Sequence, residues 1–216
     1  MSTIIERFNK IKSNILALKP TKQVNIIAVS KTFPLDHIKP LIDYGHTHFG
    51  ENKVQEAKVK WAEVKKQYKD LKLHMIGKLQ RNKVKDAIKI FDYIHSLDSQ
   101  KLADNLSESQ KNMGKSLKYF IQVNIGNESQ KSGIAINDID DFFNYCIREK
   151  KLNVIGLMII PPNVIDTEKY FKMVNNLNKS LALEELSMGM SADFKEAIKH
   201  DASFVRLGSS IFGQRS

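Results

Sequence analysis

The chain has 216 residues, a formal net charge of +10, 42% hydrophobic and 27% charged residues, and a single cysteine, Cys146. This composition provides a large hydrophobic core and is not typical of a disordered chain or a coiled coil. One cysteine excludes a disulfide framework and a zinc site built on cysteines. The longest apolar stretch, Val154 to Ile160, is too short to span a bilayer, and the charged N-terminus does not resemble a signal peptide. We therefore expect a cytoplasmic protein without a membrane partner.

The positive charge raises the question of a polyanionic partner such as nucleic acid. The cations are 29 lysines and only five arginines, and they are scattered along the chain. Proteins that read nucleic acids use arginine forks and clustered basic patches with interleaved aromatic residues, and no such block is present. We interpret the charge as a lysine-rich solvated surface that helps to attract small phosphorylated ligands, and we expect no nucleic-acid partner.

The chain begins with a predicted amphipathic helix, Thr3–Leu18, which has a capping box between Thr3 and Glu6 and ends before Pro20. Short apolar runs then alternate with helical patterns. The predicted strands are Asn25–Val29, His46–Phe49, Leu73–Ile76, Tyr93–Ser96, Lys118–Asn124, Val154–Met158, Glu185–Met188 and Phe204–Leu207. The predicted helices between them are Leu35–Tyr44, Val54–Tyr68, Asn82–Ile90, Ser99–Met113, Ile136–Glu149, Thr167–Leu181 and Asp193–His200.

Strands that alternate with helices pair in parallel through right-handed crossovers. Eight such units fit a (β/α)8 TIM barrel, and the absence of a linker predicts a single domain over residues 1–216. An open doubly wound sheet is the alternative. It would need a glycine-rich phosphate turn after the first strand, where this sequence has Ser30-Lys31-Thr32 instead.

In a barrel the chemistry lies at the C-terminal ends of the strands. Lys31 directly follows the first apolar strand, so a partly desolvated amine there could form a Schiff base with an aldehyde. The alternative is an ordinary strand-end lysine that snorkels to solvent or forms an ion pair. Small residues in the turns after the last two strands could bind a phosphate through backbone N–H groups and hydroxyls, or serve only as loop and capping residues. They are Gly189, Ser191, Gly208, Ser209 and Ser210.

Arg206 lies inside an otherwise apolar strand, where a buried guanidinium needs a carboxylate or a ligand. A structural salt bridge is the alternative to a ligand. His46 and His48 share one face of a predicted strand but have no evident third ligand, so we predict no metal site. We expect His74 and His95 in the core or the wall of the site. A ligand with an aldehyde, a phosphate and an aromatic nitrogen would satisfy the lysine, the turns and the arginine together. Pyridoxal 5′-phosphate (PLP) is such a ligand.

Ordered motifs along the chain resemble the pyridoxal phosphate homeostasis proteins, the PLP-binding YggS/PROSC family. The matching segments are residues 28–32, 49–56, 74–83, 122–125, 131–133, 156–158, 186–191 and 205–213. The resemblance implies a barrel of the alanine-racemase N-terminal-domain type with an extra N-terminal helix. It also implies that seven residues bind the cofactor. They are Lys31 at the Schiff base, Asn52 and Met188 along the ring, Ser191, Gly208 and Ser209 at the phosphate, and Arg206 at the pyridine nitrogen.

One position departs from the family pattern. Relatives usually close the helix before the last strand with a glycine, whereas this chain has Lys199-His200-Asp201. We therefore expect an aspartate in the left-handed conformation that glycine favours, at some cost in local stability.

The resemblance implies a PLP carrier of vitamin B6 homeostasis without a turnover reaction of its own. A PLP-dependent amino-acid racemase or decarboxylase is the alternative, and a nucleic-acid binder is the third. Racemases and decarboxylases on this barrel have a second, β-rich domain, whereas this sequence stops three residues after Gly213, which favours the carrier and a monomer. PLP-requiring apoenzymes are the expected partners. The sequence leaves open whether Lys131, in a Lys-Ser-Gly turn, is a second PLP site.

Overall fold

Eight parallel strands close into a barrel in chain order, from β1 to β8, which then pairs with β1. The computed structural model describes residues 3–128, 132–162 and 166–214. The strands are β1 Asn25–Val29, β2 His48–Glu51, β3 Lys72–Met75, β4 Tyr93–Leu97, β5 Lys118–Val123, β6 Asn153–Ile159, β7 Glu185–Met190 and β8 Phe204–Leu207. The predicted (β/α)8 barrel is therefore confirmed.

Helices follow the strands around the outside, and none in the described part of the chain is long and apolar enough to cross a membrane. They are α1 Thr3–Ala17, α2 Leu35–Asp43, α3 Val54–Gln67, α4 Val84–Ile90, α5 Gln100–Asn112, α6 Ile139–Asn144, α7 Glu168–Ser180, α8 Phe194–Lys199 and α9 Ser209–Phe212. The predicted helix over 136–149 is divided: a 3₁₀ turn precedes α6, and a π-helical segment, Tyr145–Glu149, follows it and buries Cys146. The short α9 was not predicted.

The second strand begins two residues later than the sequence pattern suggested. His46 belongs to the turn after α2: its backbone N–H donates to the Leu41 carbonyl, and its ring contacts the carbonyl of His48. The strand instead extends to Glu51. Glu51 is therefore the last residue of β2, and Asn52 follows it at the C-terminal end of the barrel, next to the end of β1.

The strands separate two apolar regions. Outward side chains such as Ile26 and Ala28 pack under the helices in the main core. Inward side chains fill the barrel, where Ile27, Phe120 and Phe204 belong to a smaller cluster. The interior also contains buried polar groups, among them His74, His95, Ser187 and Arg206. Arg206 lies at the C-terminal opening and contacts Ser187, whereas His95 and His74 extend from Ser187 toward the N-terminal end, where His74 contacts His48 at the start of β2.

The aspartate at the end of α8 adopts the expected left-handed conformation, with φ of +66° at Asp201. Its carboxylate accepts hydrogen bonds from Thr21, Asn175 and Lys179 at 2.9 to 3.0 Å. Burial alone would raise the pKa of Asp201, but these donors together lower it to about 2. The carboxylate therefore ties α7 and the loop before β1 to the start of β8.

We expect Asp201→Asn to lower the free energy of unfolding by about 2 kcal/mol at neutral pH, since the shift corresponds to that energy and the side chain is only 22% exposed. A depressed pKa stabilises the fold above the unfolded value of 3.8 and loses this effect as the pH falls to about 2. Urea unfolding should show the two proteins converging below pH 4 (about the unfolded pKa). Asp70→Asn, at an exposed aspartate, is the control; a deficit that persists at acid pH would contradict the prediction.

Candidate functional site

A cavity of about 640 Å³ opens at the C-terminal end of the barrel. Six of the seven predicted cofactor residues line it: Lys31, Asn52, Ser191, Arg206, Gly208 and Ser209. They come from the ends of β1, β2, β7 and β8, which are far apart in sequence and adjacent in the barrel. The topology therefore collects at one opening the amine, hydroxyl and guanidinium groups that the sequence singled out.

Met188 is the exception, and the prediction that it lines the ring is wrong. Its side chain is fully buried in the main core under the helices. Neighbouring side chains of a strand point to opposite faces, and Ser187 points into the barrel, where it contacts His95 and Arg206. A bulge between Ser187 and Met190 changes the register of β7, and Met190 is the methionine that lines the cavity.

The turn that carries Lys31 is held from both sides by α3. Lys60 donates to the carbonyl of Ser30 at 2.8 Å, and the N–H of Thr32 donates to Glu56 at 2.6 Å. The two peptide groups that flank Lys31 are thus both fixed by side chains. Thr32 has φ of +68°, a conformation that residues other than glycine rarely adopt. We infer that these two contacts stabilise the strained turn and set where the Lys31 side chain begins.

The same cluster contains a buried carboxylate. Glu51 is fully buried, and its Oε1 accepts hydrogen bonds from Ser30 at 2.7 Å, Lys60 at 2.9 Å and Trp61 at 3.0 Å. Burial raises the pKa of Glu51, while the Trp61, Lys60 and Ser30 contacts act in the opposite direction. Lys60 also pairs with Glu56 at 2.9 Å. One ammonium group therefore joins two carboxylates to the turn beneath the cavity.

Hydroxyl groups gather at one corner of the cavity. Ser191 Oγ lies 3.1 Å from Ser210 Oγ and accepts from Ser209 Oγ at 3.4 Å. Ser191 lies in the turn after β7, and Ser209 and Ser210 begin α9 shortly after β8. Gly208 lies beside them and has no side chain, so its own backbone is accessible from the cavity. Such a set of neutral donors, with no acidic side chain among the described residues that line the cavity, suits the oxygen atoms of a phosphate.

Arg206 enters the cavity from below and is 5% exposed. Its guanidinium donates to Ser187 Oγ and to the carbonyl of Ile159, each at 2.8 Å. Within the described ranges no carboxylate lies within ion-pairing distance of it, so the alternative of a structural salt bridge is not supported. Burial lowers the pKa of Arg206 to about 10, and the charge remains at neutral pH. A buried cation that has no carboxylate partner among the described residues is suited to donate a hydrogen bond to a ligand atom with a lone pair.

Six further residues line the cavity that the sequence analysis did not assign to the ligand: Val29, Ile76, Ile160, Met190, Ala192 and Gln214. Val29 and Ile76 end predicted strands, and Ile160 and Met190 lie two residues after one, so their position at strand ends was the available signal. The apolar members form walls suited to the faces of an aromatic ring. Gln214 lies beyond α9, where no strand marks it. Lys131 lies outside the described residues.

We expect Arg206→Met to weaken PLP binding only moderately, by about tenfold, because the amine and the hydroxyl corner remain. The absorption band of the bound ligand should shift, since the group opposite the pyridine nitrogen changes. Equilibrium titration and absorption spectra measure both effects. Arg81→Met, at an arginine outside this cavity, is the control. A variant that loses its fold, or one with unaltered spectrum and affinity, would contradict the assignment.

Comparison with known proteins extends over nearly the whole chain. A family model described as alanine racemase, N-terminal domain, matches residues 7–216. The pyridoxal phosphate homeostasis protein of Aquifex aeolicus is 35% identical over 224 residues, which cover 100% of this chain and 96% of the relative. That of Pasteurella multocida is 36% identical over 228 residues, covering 99% and 98%. The structure of PipY from Synechococcus elongatus PCC7942 with PLP bound has a TM-score of 0.87 at 34% identity, covering 98% of this chain and 100% of PipY.

Proposed function

This chain belongs to the alanine racemase N-terminal-domain family and, within it, to the pyridoxal phosphate homeostasis proteins, and we propose that it binds PLP in the cavity of the barrel. The observation that carries the proposal is the convergence of Lys31, the serine corner and Arg206 on that cavity. Each matches a different part of the ligand. An aromatic aldehyde that carries a phosphate and a ring nitrogen engages all three.

Lys31 forms the covalent contact. When bound, PLP supplies an aldehyde that combines reversibly with amines. The Nζ atom of Lys31 attacks the aldehyde carbon, a C=N bond forms, and the aldehyde oxygen leaves as water. The fixed turn at Thr32 holds the amine at the cavity, which favours this reaction over reaction at freely mobile surface lysines.

The remaining residues orient the ligand. Ser191, Ser209 and the backbone at Gly208 bind the phosphate, and Asn52 lies along the ring beside Ile76. Arg206 donates a hydrogen bond to the pyridine nitrogen. Because a guanidinium has no lone pair to accept a proton and carries a positive charge, it disfavours protonation of that nitrogen. The ring is therefore a weaker electron acceptor than one that faces an aspartate or glutamate.

We propose that the protein is a carrier without a turnover reaction. Racemisation needs proton transfer on both faces of a substrate carbanion. Among the described residues that line the cavity, Lys31 is the only side chain suited to act as a general acid or base, because no histidine, tyrosine, cysteine or carboxylate lines it. This composition argues against the racemase alternative.

We further propose that the protein is a monomer of one barrel domain that acts in the cytoplasm, where the buried thiol of Cys146 is compatible with reducing conditions. Its partners are apoenzymes that need PLP. An amine of the apoenzyme would displace Lys31 from the former aldehyde carbon of PLP. A new C=N bond would replace the one to Nζ, and Lys31 would be released as the free amine. Transfer therefore requires only access to the cavity, which opens to solvent.

Two parallel assays test the carrier function. The PLP-loaded protein is incubated with each common amino acid, and separately with a PLP-requiring apoenzyme. We expect no racemisation or decarboxylation in the first assay and recovery of apoenzyme activity in the second. Sustained turnover at roughly 1 s⁻¹ or faster in the first would overturn the carrier proposal in favour of an enzyme. Lys31→Ala protein treated with PLP and then desalted is the control for the transfer assay.

A further inference from the structure

Three histidines cross the inside of the barrel in one chain of hydrogen bonds. His48 Nδ1 lies 2.9 Å from His74 Nε2, and His74 Nδ1 lies 2.9 Å from His95 Nε2. His95 Nδ1 lies 2.8 Å from Ser187 Oγ, and this hydroxyl accepts from Arg206 at 2.8 Å. The chain therefore runs from a cavity at the N-terminal face, which His48 lines, to the guanidinium at the PLP cavity.

The inner members of this chain are sealed from solvent. His74, His95 and Ser187 are fully buried, and only His48 is partly exposed. The His74 ring stacks on Tyr93 with centroids 4.2 Å apart, and the His95 ring stacks on Phe120 at 4.3 Å. Burial holds the pKa of both inner histidines well below the usual value, so their rings are neutral. Each neutral ring has one donor and one acceptor nitrogen.

Arg206 gives the chain a direction. A guanidinium can only donate, so Ser187 Oγ is its acceptor, and the single hydroxyl hydrogen is left to donate to His95 Nδ1. His95 then carries its proton on Nε2 and donates to His74, which in the same way donates to His48. In the opposite direction, the hydroxyl hydrogen of Ser187 would have no acceptor among the described residues. Among the described residues, only one set of tautomers gives a partner to the Ser187 hydroxyl hydrogen and to both ring nitrogens of His95 and His74.

We propose that His95, supported by His74, is a positioning residue that fixes the Ser187 hydroxyl as an acceptor and thereby holds Arg206 in place beneath the PLP ring. The inference rests on the proposed PLP site. Among the described residues, Arg206 has two hydrogen-bond anchors, Ser187 and the Ile159 carbonyl, and the carbonyl alone leaves the guanidinium free to turn about one contact. The histidine chain supplies the second anchor without placing a negative charge beside Arg206. The full charge of the guanidinium is therefore available to the pyridine nitrogen.

The direction of the chain is tested first, in the unaltered protein. Imidazole ¹⁵N NMR spectra, recorded with and without PLP, distinguish a ring nitrogen that carries hydrogen from one that does not. We expect His74 and His95 each to carry the proton on Nε2 in both states. A His95 ring with its proton on Nδ1, or one that is doubly protonated at neutral pH, would overturn the inference whatever the variants do.

Matched substitutions at His95 then test its effect on the ligand. The amide of His95→Asn reaches the position of Nδ1 and keeps an acceptor for Ser187, whereas the amide of His95→Gln reaches that of Nε2 and does not. We expect the Asn variant to match the unaltered protein within about twofold in PLP affinity, with the same absorption band. The Gln variant should bind roughly tenfold more weakly with a shifted band. Ser187→Ala should reproduce the Gln effect, and Ser187→Ala combined with His95→Gln should add little.

These outcomes separate the inference from the proposed function. If borohydride traps no PLP on the unaltered protein, the proposed function fails, and the NMR result still decides the direction of the chain. If the unaltered protein binds PLP but the Asn and Gln variants have equal affinity and equal spectra, the positioning role is refuted while the PLP site stands. A comparison of two soluble polar variants keeps the test valid even where an apolar residue at position 95 would prevent folding.

Discussion

Lys31→Ala should abolish covalent attachment of PLP while leaving the barrel folded. Borohydride reduction fixes the linkage between an amine and the aldehyde, so mass spectrometry of the reduced protein identifies the lysine that carries the ligand. We expect the unaltered protein to carry PLP on Lys31 and the variant to carry essentially none. The absorption band of the bound ligand should disappear as well. The free energy of unfolding should change by less than about 0.5 kcal/mol, because the amine lies at the cavity rather than in the core.

Two controls sharpen this test. Lys31→Arg keeps the positive charge at the cavity but lacks an amine of suitable reactivity, so it should lose the attachment as the alanine variant does. Lys78→Ala removes a lysine from the neighbouring loop, which lines a separate cavity, and should retain full attachment. PLP trapped mainly on another lysine, with Lys131 the first to examine, would refute the assignment of Lys31.

The architecture was predictable because each of its units has a local signal. Alternation of short apolar runs with amphipathic stretches marks strands and helices, and parallel pairing with right-handed crossovers leaves few topologies for eight such units. The same logic located much of the cavity, since strand ends of a parallel barrel share one opening. Lys31, Asn52 and Arg206 could be grouped before any contact was known.

What could not be predicted depends on register and on contacts between distant strands. Met188 was misplaced because its assignment rested on the resemblance alone: Ser187 faces inward, so ordinary alternation turns Met188 outward. The bulge in β7 instead brings Met190 to the cavity, and a bulge leaves little trace in a pattern of alternating residues. His48, His74 and His95 lie in three different strands, and nothing local to each indicates that their rings meet. The anchors of the Lys31 turn were missed for the same reason: Lys60 and Glu56 resemble ordinary polar residues of an amphipathic helix.

Lys60 is the most consequential of these missed residues for stability. Its side chain is only 8% exposed and pairs with the fully buried Glu51 and with Glu56. Removing one partner of a buried ion pair leaves an uncompensated charge, which typically costs about 3–5 kcal/mol. We expect Lys60→Met to lower the free energy of unfolding by an amount in that range at neutral pH. Loss of the contact with the Ser30 carbonyl should also slow attachment of PLP to Lys31.

The pH dependence of this deficit distinguishes charge from packing. Burial already raises the pKa of Glu51, and without Lys60 it should rise further. A group whose pKa is raised by folding stabilises the folded state at low pH and loses that contribution as the pH rises through the folded value. The deficit of Lys60→Met should therefore be smaller near pH 5 (about the unfolded pKa of a glutamate) than near neutral pH.

Lys58→Met is the matched control on α3. The Lys58 side chain is 52% exposed and its Nζ lies 3.4 Å from Asp86 Oδ1, so this substitution should lower the free energy of unfolding by no more than about 1 kcal/mol. Urea unfolding at both pH values measures these differences. The prediction is contradicted if the two variants lose equal amounts of unfolding free energy, or if the loss for Lys60→Met does not vary with pH. Either result would show that the ammonium group of Lys60 does not stabilise the charged form of Glu51.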